Sequence, residues 1–501
     1  MVSSIDGLVS GLSTSSMISS LMQVEAAPQT RLKAKVSAAQ SVVSAYQSVN
    51  SKVASLQTAA DSLSQLSTWR AVKPTSSSTS VTTTSTGGTD TATGAVKFSV
   101  NALATAQAGT MRVNTATVTN AEGKQVAADI LPPETTELKI RTGVWVQAVD
   151  GQGNPQVDGN GDPVWASQGK EVTVPITDRT AKGVSAAING AGAGVKATLV
   201  KIGETESVLQ LNGMRTGADN AFQIIGLDAA ASSDGKGVIT TTEAANAKIT
   251  VGDPDNGGFS LVSTTNTFTG LMPGVSVTVS KMENDVTITS VSDAAGIAAK
   301  FQALVDAANA TLTEIGAQTA YNPETKKGSP LTGDFSVRQM SSAILSTISQ
   351  GLSFRREGAP PAPTGADATP QALADDRAAN VVNFGALSQL GVALDSTGKL
   401  TFKADQFIAK YNSDPDAVQA AGIAFADNFE ALAKTQTANV TSAVTGRKTL
   451  IDSMNFQIDD WDVRLAAKRE ALQKTYSGLE TALSKLNSQS SWLSGQIASL
   501  G

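Results

Sequence analysis

The chain of 501 residues carries a net charge of −6 and contains neither cysteine nor histidine. Those absences exclude disulfides, thiol nucleophiles, Ser-His-Asp and Cys-His arrangements and nearly every zinc site. The acidic balance argues against nucleic acid as a partner, and no run approaches the ~18 consecutive apolar residues that a membrane-spanning helix needs.

The N-terminal stretch MVSSIDGLVSGLSTSSMISSLMQVE has no basic region and no long apolar core. The expectation is a chain exported, if at all, without a cleavable signal. Ser13 to Ser16 offer N-cap hydroxyls, and Pro28 marks a boundary between two helical stretches. Over residues 32–66 two apolar stripes interleave at spacings of three and four. One is Val42, Val49, Leu56, Leu63; the other is Leu32, Ala39, Tyr46, Val53, Ala60. This is the alternation of a coiled-coil or bundle helix. Lys73-Pro74 stops it, and the Ser/Thr/Gly run over residues 75–94 reads either as a linker or as exposed strand.

From Ala95 to about Ser290 the pattern is β: short alternating runs such as KFSVNAL, ELKIRTGVWVQAV and GVSVTVSKM, punctuated by turn residues. A helical piece over residues 179–189 interrupts it, and the length suits two β-rich subdomains. Helices return after Asp293. Ile297, Phe301, Leu304, Val305, Ala308, Leu312 and Ile315 share one apolar face, and a second helix is expected over residues 336–350. The Pro/Ala/Gly loop REGAPPAPTGADATPQ comes next, then a hairpin with Val392 to Leu394 and Lys399 to Phe402 on either side of DSTG. A short helix ends at Tyr411, and Asp414-Pro415 separates it from the last segment. There an apolar residue recurs every seventh position: Val444, Ile451, Ile458, Leu465, Leu472, Leu479, Leu486, Leu493, Leu500. Such a repeat drifts against the 3.6-residue turn and stays in contact only where helices wrap round one another. A helix of this kind needs a partner, and the stripes over residues 32–66 supply a candidate.

Few constellations suggest chemistry. Asp158-x-Asn160-x-Asp162 has the spacing of the first calcium-loop ligands, but Pro163 stands where glycine is required and Gly169 where a glutamate is, so a hairpin turn is the better reading. The pairs Asp375-Asp376 and Asp459-Asp460 are adjacent residues that point different ways and read as solvated faces. Gly190, Gly192 and Gly194 follow a helix and precede a strand, the wrong order for a dinucleotide loop. No catalytic, cofactor-binding or metal-ligating residue is assigned.

SIDGLVSGLSTSSMISSLMQVEAAPQTRL and RLAAKREALQKTYSGLETALSKLNSQSSWLSGQI, at the two ends, resemble flagellar filament-capping proteins of the hook-associated protein 2 (FliD) family. VSAAINGAGAGVKATLV with LQLNGMRTGADNAFQI is similar to the flagellin-hook "IN" motif, centred on Ile188-Asn189. PLTGDFSVRQM and LSQLGVALDSTGKLTF resemble further blocks of the family, in the family's order. The resemblance implies an α+β multidomain fold: paired N- and C-terminal coiled-coil helices, a mostly helical bundle domain, and inserted β-rich head domains. The corresponding expectation is an N-terminal leg over 1–40, a helix of the helical domain over 41–74 and a head over 75–290. The head would divide into about 75–110 plus 235–290 and about 111–234. The rest of the helical domain would fill 291–443 and a leg helix 444–501.

The function implied is a non-enzymatic cap at the tip of the bacterial flagellum. It would be an extracellular ring-like homo-oligomer that retains exported flagellin and helps it fold and insert. Its partners would be flagellin, hook–filament junction proteins and, before type III export, a chaperone. Val42, Val49, Leu56 and Leu63 are expected to pack with Leu465, Leu472, Leu479 and Leu486, while Leu8, Leu12, Leu21, Leu493 and Leu500 contact flagellin or the junction. The alternatives are a junction protein or flagellin-like subunit, and a surface adhesin working through the β-rich head.

Overall fold

A computed structural model of the chain describes residues 13–143, 145–157, 165–167, 169–356 and 358–498. It divides into two compact units, one formed by Met1–Leu66 with Ala294–Gly501 and the other by Ser67–Asp293. The α-helices are α1 (Thr14–Glu25), α2 (Ala27–Ser64), α3 (Leu66–Trp69), α4 (Ala181–Gly190), α5 (Ala294–Thr319), α6 (Phe335–Ser349), α7 (Pro370–Asn380), α8 (Ala404–Ser413) and α9 (Pro415–Ala498).

The first unit is built on α2, which packs against both α5 and α9. Pro28 sits in the first turn of α2, where its missing N–H costs nothing. The buried residues Val36, Ala39, Val43, Tyr46, Val49, Val53, Leu56, Ala60 and Leu63 follow the spacing of three and four. Two polar ties set the direction against α5: Ser48 Oγ donates to Glu314 Oε1 at 2.6 Å, and Lys300 Nζ donates to Ser62 Oγ at 2.7 Å. As α2 advances α5 recedes, so the pair is antiparallel. Phe301 of α5 anchors an aromatic core with Phe402, Phe407 and Phe425, at ring-centroid distances of 5.7, 4.7 and 6.1 Å. Such offset contacts add to the area that large rings bury. The hairpin expected from the DSTG turn forms, with Val392–Leu394 paired antiparallel to Leu400–Phe402. Asn309 fixes it to α5: its side-chain amide donates to Leu400 O at 2.8 Å and accepts from Leu400 N at 2.9 Å.

The second unit is antiparallel β with two separate cores. In one, a five-stranded sheet has the order Val72–Ser76, Glu283–Ser292, Gly94–Ala102, Ala247–Val251, Phe259–Ser263, and a three-stranded sheet joins Thr267–Met272, Val275–Val279 and Val81–Ser85. Phe98, Val100, Ile249, Val275, Val277 and Ile288 fill it. The run over 75–94 is thus strand in part, with Val81 buried, Thr83 half-buried and Thr82 and Thr84 facing water. In the other core a four-stranded sheet, Val195–Lys201, Glu206–Gly213, Ala108–Asn114, Ile239–Thr242, shares Met111, Leu138, Ile140, Ile188 and Leu209 with a three-stranded sheet and α4.

The Ile188-Asn189 pair has a structural role in this second core. Ile188 is fully buried. Asn189 donates to Ala197 O at 2.8 Å and accepts from Ala197 N at 2.9 Å, locking the end of α4 to the first strand after it. Gly192 and Gly194 make the turn between them with φ of 62° and 76°, values that favour glycine. The same two-way grip recurs where Gln107 holds both backbone groups of Phe222 and Asn266 holds both of Ala104. Each such amide satisfies a donor and an acceptor that the sheet ladders leave unpaired.

Candidate assembly surface

The surface is assembled from α1, α2 and α9. Near the start of α2, Gln29 donates to Ile458 O at 3.3 Å and to Asp462 Oδ1 at 2.6 Å. Further along, Tyr46 lies in the field of Arg447, and Asp61 in that of Lys434. As α2 advances α9 recedes, so this pair too is antiparallel. Val36, Ala39 and Val43 pack with Ile451, Met454 and Ile458, flanked by Leu32 and Val444. Deeper in the unit α9 buries Val418, Phe425, Phe429, Ala433 and Val440.

This level corrects the expected pairing. Val49, Leu56 and Leu63 are buried and Val42 is half-buried, its neighbour Val43 taking the core position. None of them can meet Leu465 to Leu486, because Gln29, almost at the start of α2, is already opposite Ile458 and Asp462. The physical reason is length. At ~1.5 Å per residue the 38-residue α2 spans ~57 Å. The C-terminal helix begins at Pro415, well before the heptad run starts, so α2 lies along α9 from near Lys434 to Asp462 and only the first members of the heptad run reach it.

Beyond Asp462 the cover thins. Helix α1 packs on α9, burying Ile18, and Glu25 pairs with Lys468 at 3.4 Å. Leu465 and Leu472 are half-buried there. Past them the heptad is bare: Leu479 is 48% exposed, Leu486 60%, and Trp492, Leu493 and Ile497 more than half. Leu21 on α1 is also exposed. Leu8, Leu12 and Leu500 lie outside the described residues.

Other groups singled out by the sequence have structural employment. Asp376 accepts two hydrogen bonds from Arg355, at 2.7 and 2.8 Å, and one from Asn380. The guanidinium holds the Asp376 carboxyl down at about 2. Arg355 also donates to Pro360 O, so one side chain closes the proline-rich loop onto α7. Asp375 accepts from Gln371 in the preceding turn. Asp459 and Asp460 are exposed on α9. The Asp158, Asn160, Asp162 run lies outside the described residues, and no metal-holding group of acidic side chains occurs among those described. No described helix is long and apolar enough to cross a membrane.

Sequence reasoning missed Tyr46 and Asp334. The Tyr46 hydroxyl donates to Asp334 Oδ2 while Oδ1 of the same carboxylate caps α6 through Val337 N. Burial, then this hydrogen bond, pushes the phenol up to about 12. The signal was present: an Asp before FSVRQM is an N-cap pattern, and Tyr46 falls on the inward stripe.

The family model for the flagellar hook-associated protein 2 N-terminus matches residues 10–107, and that for the C-terminus of the same protein matches residues 244–488. The chain belongs to the flagellar hook-associated protein 2 family. The flagellar hook-associated protein 2 of Campylobacter jejuni is 27% identical over 307 residues, covering 53% of this chain and 44% of the relative. That of Salmonella typhimurium is 25% identical over 350 residues, covering 66% of this chain and 69% of the relative. This chain thus matches under half the length of the first relative and about two thirds of the second. In fold, the D1-D2-D3 domains of the flagellar cap protein FliD from Escherichia coli superpose with a TM-score of 0.52 at 22% identity, over 81% of this chain and 99% of that one. Residues 108–243, between the two matched segments, hold the whole four-stranded sheet and α4. The "IN" motif falls inside that interval.

Proposed function

We propose that this protein is a non-enzymatic cap at the tip of the bacterial flagellar filament. It assembles with copies of itself into a ring that retains exported flagellin and promotes its folding and insertion. The observation that carries the reading is the bare heptad at the end of α9. Leu479, Leu486 and Leu493 continue a repeat that is buried at Ile451 and Ile458, yet nothing in the described chain covers them. An apolar stripe of this period is a surface for other helices. Membership in the family supports reading those helices as flagellin's, the hook–filament junction's or those of neighbouring cap subunits.

The division of labour follows the two units. The helical unit carries the assembly surface, and the β-rich unit, with its core over about 111–234 and its other core from 75–110 and 235–290, is a separate module. The chain reaches the tip through the flagellar export route, escorted beforehand by a chaperone.

Deletion of the gene tests the reading. Short or missing filaments with flagellin spilled into the medium are the expected outcome, restored by the wild-type gene and not by one carrying Leu486→Asp. Normal filaments in the deletion strain overturn it.

A further inference from the structure

The surface of α9 away from α2 is not uniformly polar. Phe456 and Val463, seven residues apart, are each 71% exposed, and Asp452, Asp459 and Asp460 surround them. On α2 at the same level stand Arg31 and Lys35, both exposed. None of these five charged groups makes an ion pair or side-chain hydrogen bond among the described residues.

Helix geometry places the two sets apart. At ~100° per residue, Arg31 and Lys35 are offset by about −120° and −80° from the α2 residues that face α9. Asp452, Asp459, Phe456 and Val463 are offset by about +95° to +155° from the α9 residues that face α2. In an antiparallel pair, offsets of the same sign fall on the same side, so the two sets occupy opposite sides of the helix pair. Arg464 of α9, beside Trp461 at 5.7 Å, falls on the basic side. Lys33 and Lys448 lie on the other side, nearer the seam between the helices than the acidic and apolar groups.

We propose that the acidic-apolar side of one copy docks on the basic side of the next, with Phe456 and Val463 covered at the joint and Asp452 and Asp459 facing Lys35 and Arg31. The occupant is a second copy of this chain because the two sides complement each other in charge at one level of one molecule. Two different patches joined in this way make a heterologous contact, which closes into a ring when the rotation per copy allows it. The inference deepens the self-association reading above and supplies its contact.

The full chain tests it by sedimentation and cross-linking. The variants Asp452→Lys with Asp459→Lys, and separately Arg31→Glu with Lys35→Glu, should each weaken self-association by about tenfold or more. Combining all four changes in one chain should recover most of the loss, since every joint then pairs reversed charges. Because the chain has no cysteine, Lys35→Cys and Asp452→Cys chains, each unable to link heterologously to itself, should form a disulfide only when mixed. Helicity and melting temperature should match wild type, because every altered side chain is exposed. An oligomer that neither reversal weakens, or cross-links forming equally within each single-cysteine population, overturns this contact and leaves the ring reading standing. A wild-type chain that stays monomeric at all concentrations overturns both.

Discussion

One helix, α9, carries one heptad repeat through two different environments. From Val418 to Ile458 its inward residues are buried against α2 and the rest of the helical unit. From Leu479 onward the same repeat, with equally large leucines, faces water. Periodicity reports that a face needs a partner; it does not report whether that partner is the same chain. Where α2 lies alongside, the seam contributes to folding. Where α2 and α1 have ended, the seam is available for assembly. Single substitutions in the two lengths should therefore separate stability from assembly.

The largest contrast is expected deep in the covered length. Leu56, only 1% exposed, should cost about 2–5 kcal/mol when changed to alanine, for lost transfer and for the cavity. Urea unfolding of the helical unit measures it. A loss as small as that of an exposed leucine would mean that α2 is not held in this seam. Nearer the limit of cover, Ile458→Ala should cost about 2 kcal/mol, the low end of that range, because the site is closer to solvent and collapses more readily.

How much of this was legible follows from the same contrast. The faces of α2, α5 and α6 could be read from spacing, as could the DSTG hairpin, the break at Asp414-Pro415 and the two β-rich stretches, because each depends on local chemistry. The level at which α2 meets α9 could not. A heptad stripe looks the same after a shift of seven residues, and what fixes the level is non-repeating: Gln29 against Asp462, Tyr46 near Arg447, Asp61 near Lys434. The amide grips of Asn189, Gln107, Asn266 and Asn309 were equally hidden, since their partners are backbone groups that carry no sequence signature. The assembly stripe was legible as apolar, and its exposure follows only from where α2 stops.

A smaller effect comes from Tyr46, in the covered length. Tyr46→Phe removes a hydrogen bond to Asp334 and should cost about 1 kcal/mol near neutral pH. Its pH dependence is more telling. The folded phenol titrates at about 12, above its ordinary 10. Above pH 10 the unfolded chain releases the proton while the folded chain keeps it, so this contribution is complete below pH 10 and is lost as pH rises towards 12. The alkaline stability profile of wild type should fall across that window more steeply than that of Tyr46→Phe. Parallel profiles would place the hydroxyl in water and remove the tie between α2 and the start of α6.

The smallest effect on stability, and the one that bears most on function, belongs to the bare length. Leu479→Ala and Leu486→Ala should each change unfolding by no more than about 0.5 kcal/mol, since an exposed leucine loses little contact. The more drastic Leu486→Asp should be equally silent in a melting curve of the isolated chain and should abolish filament growth. If the stripe is empty in the free protein, a charge there meets only water, and its cost appears when another helix arrives. A Leu486→Asp chain that unfolds several degrees early would place a partner for that leucine within the free protein, where none of the described residues covers it.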